Sequence, residues 1–189
     1  MSYLKERSKR INAKNVQHKN CFIPQIEAVG VTAFNYVVKH FKSYLMSNYE
    51  INKIIVIDPY MAVADLQRLT MLFGGNSKNI LEVITKFEAF PREESSKQQA
   101  IQEIVTGKNK LVENGVFNNI NIYHSQMTMH DRYFIFGNND RIISIFTVGG
   151  SINQEFESYI QLQEVSDSYF SDSIIHYHQM LRKDLKDVY

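Results

Sequence analysis

The sequence predicts an α/β sandwich, a mixed sheet flanked by helices. Three observations predict it. Short, continuously apolar segments alternate with amphipathic ones from residue 51 to residue 124, the order expected of parallel strands joined by helical crossovers. The pattern then changes at "RYFIFGNNDRIISIF", where two apolar runs flank a tight-turn sequence and so read as a hairpin. The last twenty or so residues return to helical spacing.

Each element has its own justification. "VTAFNYVVKHFKSYLM", residues 31–46, places Phe34, Val37, Val38, Phe41 and Leu45 at helical spacing and predicts an amphipathic helix. Ile54 to Ile57 is continuously apolar, as suits a strand covered on both faces. Asp58 is expected to cap the next helix, with Pro59 at its first position, Leu66, Leu69 and Phe73 on its face, and Gly74 and Gly75 at its end. "NILEVITKF" predicts a second strand. A helix near residues 96–113 follows, with Ile101, Ile104, Val105 and Val112 inward and Asn114-Gly115 closing it. "INIYH" predicts a third strand, "SYIQLQEV" alternates as a further strand, and residues 169–187 predict a closing helix carrying Ile174, Ile175 and Leu181. Residues 1–50 are read as a basic N-terminal extension with an amphipathic helix, and residues 51–189 as the α/β domain.

Composition narrows the function. The chain has 189 residues, 44% hydrophobic and 22% charged, with net charge +1, so no global field advertises nucleic acid or membrane. The first twenty residues nonetheless hold Lys5, Arg7, Lys9, Arg10, Lys14 and Lys19 against Glu6 alone. Such an arm either grips phosphates or is a solvated end. Cys21 is the sole cysteine, which excludes a disulfide framework within one chain and a cysteine metal cluster, and favours a reducing compartment. No apolar run reaches the length of a membrane span, and the N-terminus lacks the apolar core of a signal peptide, so a cytoplasmic location is expected.

The chemistry-bearing segments are "MHDRYFIFGNND", residues 129–140, and "VGGSIN", residues 148–153. Parallel strands present functional residues at their C-terminal ends. Asp58, His130 with Arg132, and Ser151 with Asn153 all fall at predicted strand ends, so they are expected to converge at one edge of the sheet. In an extended "HDR", His130 and Arg132 share a face and Asp131 takes the other. Arginine binds two phosphate oxygens at once, and histidine attacks phosphorus or protonates a leaving oxygen near neutral pH. The turn adds backbone N–H groups, the Ser151 hydroxyl and the Asn153 amide. Taken alone, His130 is better explained as a hydrogen-bonded structural histidine, and its company with Arg132, Ser151 and Asn153 favours a site. Asp58 is expected to cap a helix rather than act as an acid. Asp131 is expected to pair with Arg132 or a neighbouring basic group. Tyr60 and Tyr133 flank the motifs, where a tyrosine can stack on a base, but core packing explains them better. His124 ends a strand and either lines the site or faces solvent. His176 and His178, two residues apart, cannot share a helix face, which argues against a metal site there.

Histidine two before a basic residue, an apolar strand, and then Gly150-Ser151-Ile152-Asn153 resemble the signature of the phospholipase D-like superfamily, in a divergent single-motif "HDR" form. The resemblance covers roughly residues 51–165. It implies a phospholipase D-like sandwich and a catalytic set of His130, Arg132, Ser151 and Asn153, with Asp58, Tyr60 and Gly150 as candidate substrate contacts. It also implies no metal or other cofactor. Because the superfamily's site uses two motifs and this chain has one, it implies a homodimer with the motifs facing across a two-fold axis. Classical single-motif members are nucleases, so DNA or RNA is the expected substrate. Two departures favour an alternative. Arg132 stands in the place of the usual lysine, and Gly137 stands where an aspartate is expected. Similar "HDR" domains in membrane-trafficking proteins are regarded as binding modules. The alternative is therefore a catalytically inactive module that recognises phosphate, nucleic acid or a lipid headgroup.

Overall fold

The computed structural model describes residues 31–88, 92–149 and 162–188. Among them are four helices, α1 (Val31–Ser47), α2 (Asp65–Phe73), α3 (Glu94–Glu113) and α4 (Ser168–Arg182). Seven strands, β1 (Lys53–Ile57), β2 (Ile80–Thr85), β3 (Asn119–His124), β4 (Tyr133–Gly137), β5 (Ile142–Val148), β6 (Leu162–Glu164) and β7 (Lys186–Asp187), form one sheet in the order β6-β5-β4-β1-β2-β3-β7. The strands β1, β2 and β3 run parallel, and β4 turns back antiparallel beside β1. The predicted mixed α/β sandwich is the fold observed.

The apolar run of β1 is explained by its central place, because both its faces are covered. Ile54 and Val56 join Phe134, Phe136 and Phe146 in a core closed by α1, α2 and α3. Ile55 and Ile57 join Tyr133, Ile135 and Ile145 in a second core closed by Ile174 and Leu181 of α4. The period-two alternation of side chains along each strand separates these two sets. Helix α1 buries Phe34, Val37 and Phe41, and Phe41 packs edge-on against Phe73, Phe134 and Phe146 with ring centroids 5.3–5.4 Å apart. The hairpin between β4 and β5 turns on Asn138, whose side-chain oxygen accepts the N–H groups of Asp140 and Arg141 at 3.0 Å. A Cβ at Gly137 would meet the Arg141 carbonyl oxygen at 2.5 Å, so glycine is required there.

Four elements differ from expectation. The helix after β1 begins at Asp65, not at Pro59, and Asp58 does not cap it. Instead the Asp58 carboxylate accepts the Tyr60 N–H at 2.9 Å and closes a local turn. The closing helix ends at Arg182, because Lys183 and Asp184 turn the chain back so that β7 pairs antiparallel with β3. That short edge strand was not predicted. Helix α3 starts at Glu94, slightly earlier than expected.

Candidate functional site

The sheet register brings the predicted strand ends together. Ile57 pairs with Tyr133, Tyr133 with Thr147, and Val148 with Leu162, so Asp58, Arg132 and Gly149 all emerge at one edge. The Val148 N–H donates to the Arg132 carbonyl at 3.0 Å, which ties the two chemistry-bearing segments directly. A cleft of about 350 Å³ opens there. It is lined by the segment from His130 to Tyr133, by Thr147, Val148 and Gly149 at the end of β5, and by Phe170 of α4.

The loop carrying His130 is held by α4 and the turn after it. Asp184 accepts the Gln126 N–H at 2.8 Å and the Ser125 hydroxyl at 3.3 Å. The Tyr177 hydroxyl donates to the Thr128 carbonyl at 3.2 Å, and Met129 is buried in the second core. These anchors leave His130 itself exposed to solvent at the rim. Asp131, also exposed, accepts the Tyr133 hydroxyl at 3.2 Å. Burial and the neighbouring Asp131 charge push the Tyr133 phenol up to about 12. Asp131 thus engages a tyrosine rather than the basic partner expected of it.

Arg132 is the ordered cation of the cleft. Its Nε lies 3.5 Å from Asp58 Oδ1, and its guanidinium carbon lies 5.0 Å from the centre of the Tyr60 ring. The Asp58 contact is an ion pair without hydrogen-bond geometry, since buried Nε donates to no acceptor among the described residues. A carboxylate at Nε and a ring near Cζ restrict how the guanidinium plane can turn. Asp58 and Tyr60, expected as substrate contacts, both lie against Arg132. Tyr133, although largely buried, also lines the cleft, and Tyr60 is partly buried against Arg132. Gly150, Ser151 and Asn153 lie outside the described residues, as does the basic arm of residues 1–20. The chain leaves β5 through Gly149, at the wall of the cleft.

His124 reaches the same sheet edge but on β3, and it is not among the described residues lining the cleft. It stacks on Phe87 with centroids 5.8 Å apart. Burial, then Lys97 and Lys186, lower its pKa. Phe87 adopts φ of 56°, a left-handed conformation uncommon for an aromatic residue, with its N–H on the Thr85 hydroxyl at 3.2 Å. His176 is exposed and His178 buried on α4, so the two do face apart. Phe170 was missed by the sequence reading. Its spacing from Ile174, His178 and Leu181 makes it indistinguishable from a core position.

No protein-family model matches the chain, and no curated protein matches it significantly. Among solved structures it is similar to polyphosphate kinase from Porphyromonas gingivalis, at 10% identity and a TM-score of 0.48, over 85% of this chain and 23% of that one. It is also similar to TrmBL2, an archaeal chromatin protein described as showing a novel mode of DNA binding, at 10% identity and a TM-score of 0.41, over 97% of this chain and 60% of that one. The chain spans less than two thirds of either protein. Likenesses of this degree assign neither family nor activity. No helix among the described residues is long and apolar enough to cross a membrane.

Proposed function

We propose that the chain is a phosphodiesterase of the phospholipase D-like type, cleaving nucleic acid in a site shared by two copies of the chain. One observation carries this reading. An exposed histidine, His130, shares a cleft with Arg132, a cation oriented by Asp58 and Tyr60 at the edge where the strands end. His130 of one subunit attacks phosphorus, forming a P–N bond as the P–O bond to the leaving group breaks. His130 of the other subunit gives the leaving oxygen its proton. That second histidine then takes a proton from water, which attacks phosphorus, breaks the P–N bond and frees the first histidine. Arg132 neutralises the non-bridging oxygens, assisted by Ser151 and Asn153. The resemblance in the sequence implies that this chemistry needs no metal.

The test offers single- and double-stranded DNA, RNA and a generic phosphodiester to highly purified protein, with and without EDTA. Turnover that survives EDTA and falls on the order of 10³-fold or more in His130→Ala supports the proposal. Absence of cleavage, or equal cleavage by His130→Ala, overturns it. A specific contact favours the alternative of an inactive phosphate-binding module. The Asp58 carboxylate already offsets part of the Arg132 charge, at the position where the resemblance expects a lysine. An inactive protein that binds phosphate or sulfate through Arg132 is this second reading.

A further inference from the structure

We infer that Phe170 is a base platform, so that the cleft takes an unpaired nucleotide of single-stranded nucleic acid. The inference deepens the phosphodiester reading above and rests on it. Residues 170, 174, 178 and 181 form one stripe along α4. Ile174, His178 and Leu181 are 2%, 7% and 0% exposed, because sheet lies beneath them. Phe170, on the same stripe one turn earlier, is 46% exposed. It lines the cleft with the terminal residues of β5, so the first turn of α4 overhangs the sheet edge. The ring is a core-type residue with the cleft in place of a core.

Its backbone is held in place. Asp167 Oδ1 accepts the Phe170 N–H at 2.9 Å, and the Asp167 carbonyl accepts the Ser171 N–H at 2.9 Å, so the aromatic sits on a capped helix turn rather than a loop. His130 and Arg132 line the same cleft. An aromatic face and cationic groups in one cleft suit a nucleotide, whose base stacks while its phosphate is neutralised. An aliphatic phosphodiester or a polyphosphate has no ring for Phe170 to meet. A base inside a duplex is already stacked on both sides, so the ligand must present an unstacked base. The cleft, at about 350 Å³, lies in the range of roughly 300–1,000 Å³ of small-ligand sites.

The experiment measures equilibrium binding of labelled short single-stranded DNA and RNA, an abasic strand of equal length, duplex DNA and pyrophosphate. All variants carry His130→Ala so that no cleavage intrudes. Phe170→Ala is expected to weaken base-bearing single strands about tenfold, leaving the abasic strand and pyrophosphate unchanged. Phe170→Trp should retain binding, and Phe170→Leu, apolar but without a ring, should not. Circular dichroism checks that each variant folds. Equal losses for base-bearing and abasic strands overturn the inference, as does full binding by Phe170→Leu or failure of any single strand to bind. So does a Phe170→Ala variant whose only change is a lower oligomeric mass, which would make the ring a contact between copies. Arg132→Ala reports on the phosphate site separately. If it leaves pyrophosphate affinity intact, the phosphodiester reading fails, whatever Phe170 does. A preference between the DNA and RNA strands identifies the natural source of the base.

Discussion

Asp58 is 2% exposed, and its carboxylate serves both the Tyr60 N–H and Arg132. Two substitutions separate these duties. Asp58→Asn keeps a side-chain oxygen for Tyr60 but removes the charge that competes with an incoming anion. It is expected to bind sulfate or phosphate more tightly than the wild type, by about twofold to fivefold, on the scale of an ion pair near the surface. Asp58→Ala also frees the Tyr60 N–H and leaves Arg132 Nε without its ion-pair partner. It should cost about 1–3 kcal/mol of stability in urea unfolding. Weaker anion binding in Asp58→Asn would mean that orientation by the carboxylate outweighs its competition. Arg132→Lys should keep only part of the wild-type affinity, since an ammonium lacks the planar fork that matches two phosphate oxygens.

At the scale of elements, α4 seals the second core and anchors the His130 loop, and each role has its own test. His178, buried with Nε2 unbonded among the described residues, lies near the Lys53–Glu82–Arg182 ion pairs, each 2.9 Å long. Burial, with a smaller contribution from Arg182, lowers its pKa from 6.5 to about 4. Between those values the unfolded chain binds the proton and the folded chain does not, so this group's stabilising contribution is lost as pH falls from 6.5 toward 4. In His178→Leu that part of the decline should vanish, seen as a flatter melting temperature against pH than the wild type shows. Carboxylates titrating in the same range contribute to both proteins and cancel in the comparison. The second role is tested by Asp184→Ala, which removes the acceptor of Gln126 and Ser125. Hydrogen exchange at the Gln126 amide should quicken, with about 1 kcal/mol of stability lost. Unchanged exchange at Gln126 would assign the anchoring of the loop to Tyr177 and Met129 instead.

These elements also show what the sequence can convey. The apolar runs of β1 and β2 are legible because central strands bury both faces and need no partner's identity to be recognised. The strand β7 is not legible, since Lys186 and Asp187 are exposed charges placed only by the docking of the turn after α4. Asp58-Pro59 carries the local signal of a helix start, and a long-range partner, Arg132, meets the same carboxylate. His130 and Arg132 could be placed in one cleft from strand ends alone. Phe170 could not, because periodicity records which face of a helix is apolar and not where the sheet beneath it stops.

For the whole molecule the decisive property is how many chains make one site. A single chain supplies one His130, whereas the proposed chemistry needs a nucleophile and an acid at the same phosphorus. His130 at the exposed rim of an open cleft is available to a second copy. A two-fold axis beside the cleft would bring two such histidines together. Light scattering should then report a dimer mass, but mass alone does not show that the site is shared. Mixing does. Wild-type and His130→Ala chains, unfolded together and refolded at fixed total concentration, pair at random. If both histidines are required, only dimers of two wild-type chains turn over, and activity follows the square of the wild-type fraction. If each chain works alone, activity follows that fraction linearly. At equal proportions the two cases differ by a factor of about two, well within the resolution of a cleavage assay, given that either loss far exceeds the residual rate of a histidine-free site. A linear dependence would locate the proton donor within the same chain and remove the shared site, while leaving the proposed binding of an anion by Arg132 to its own test.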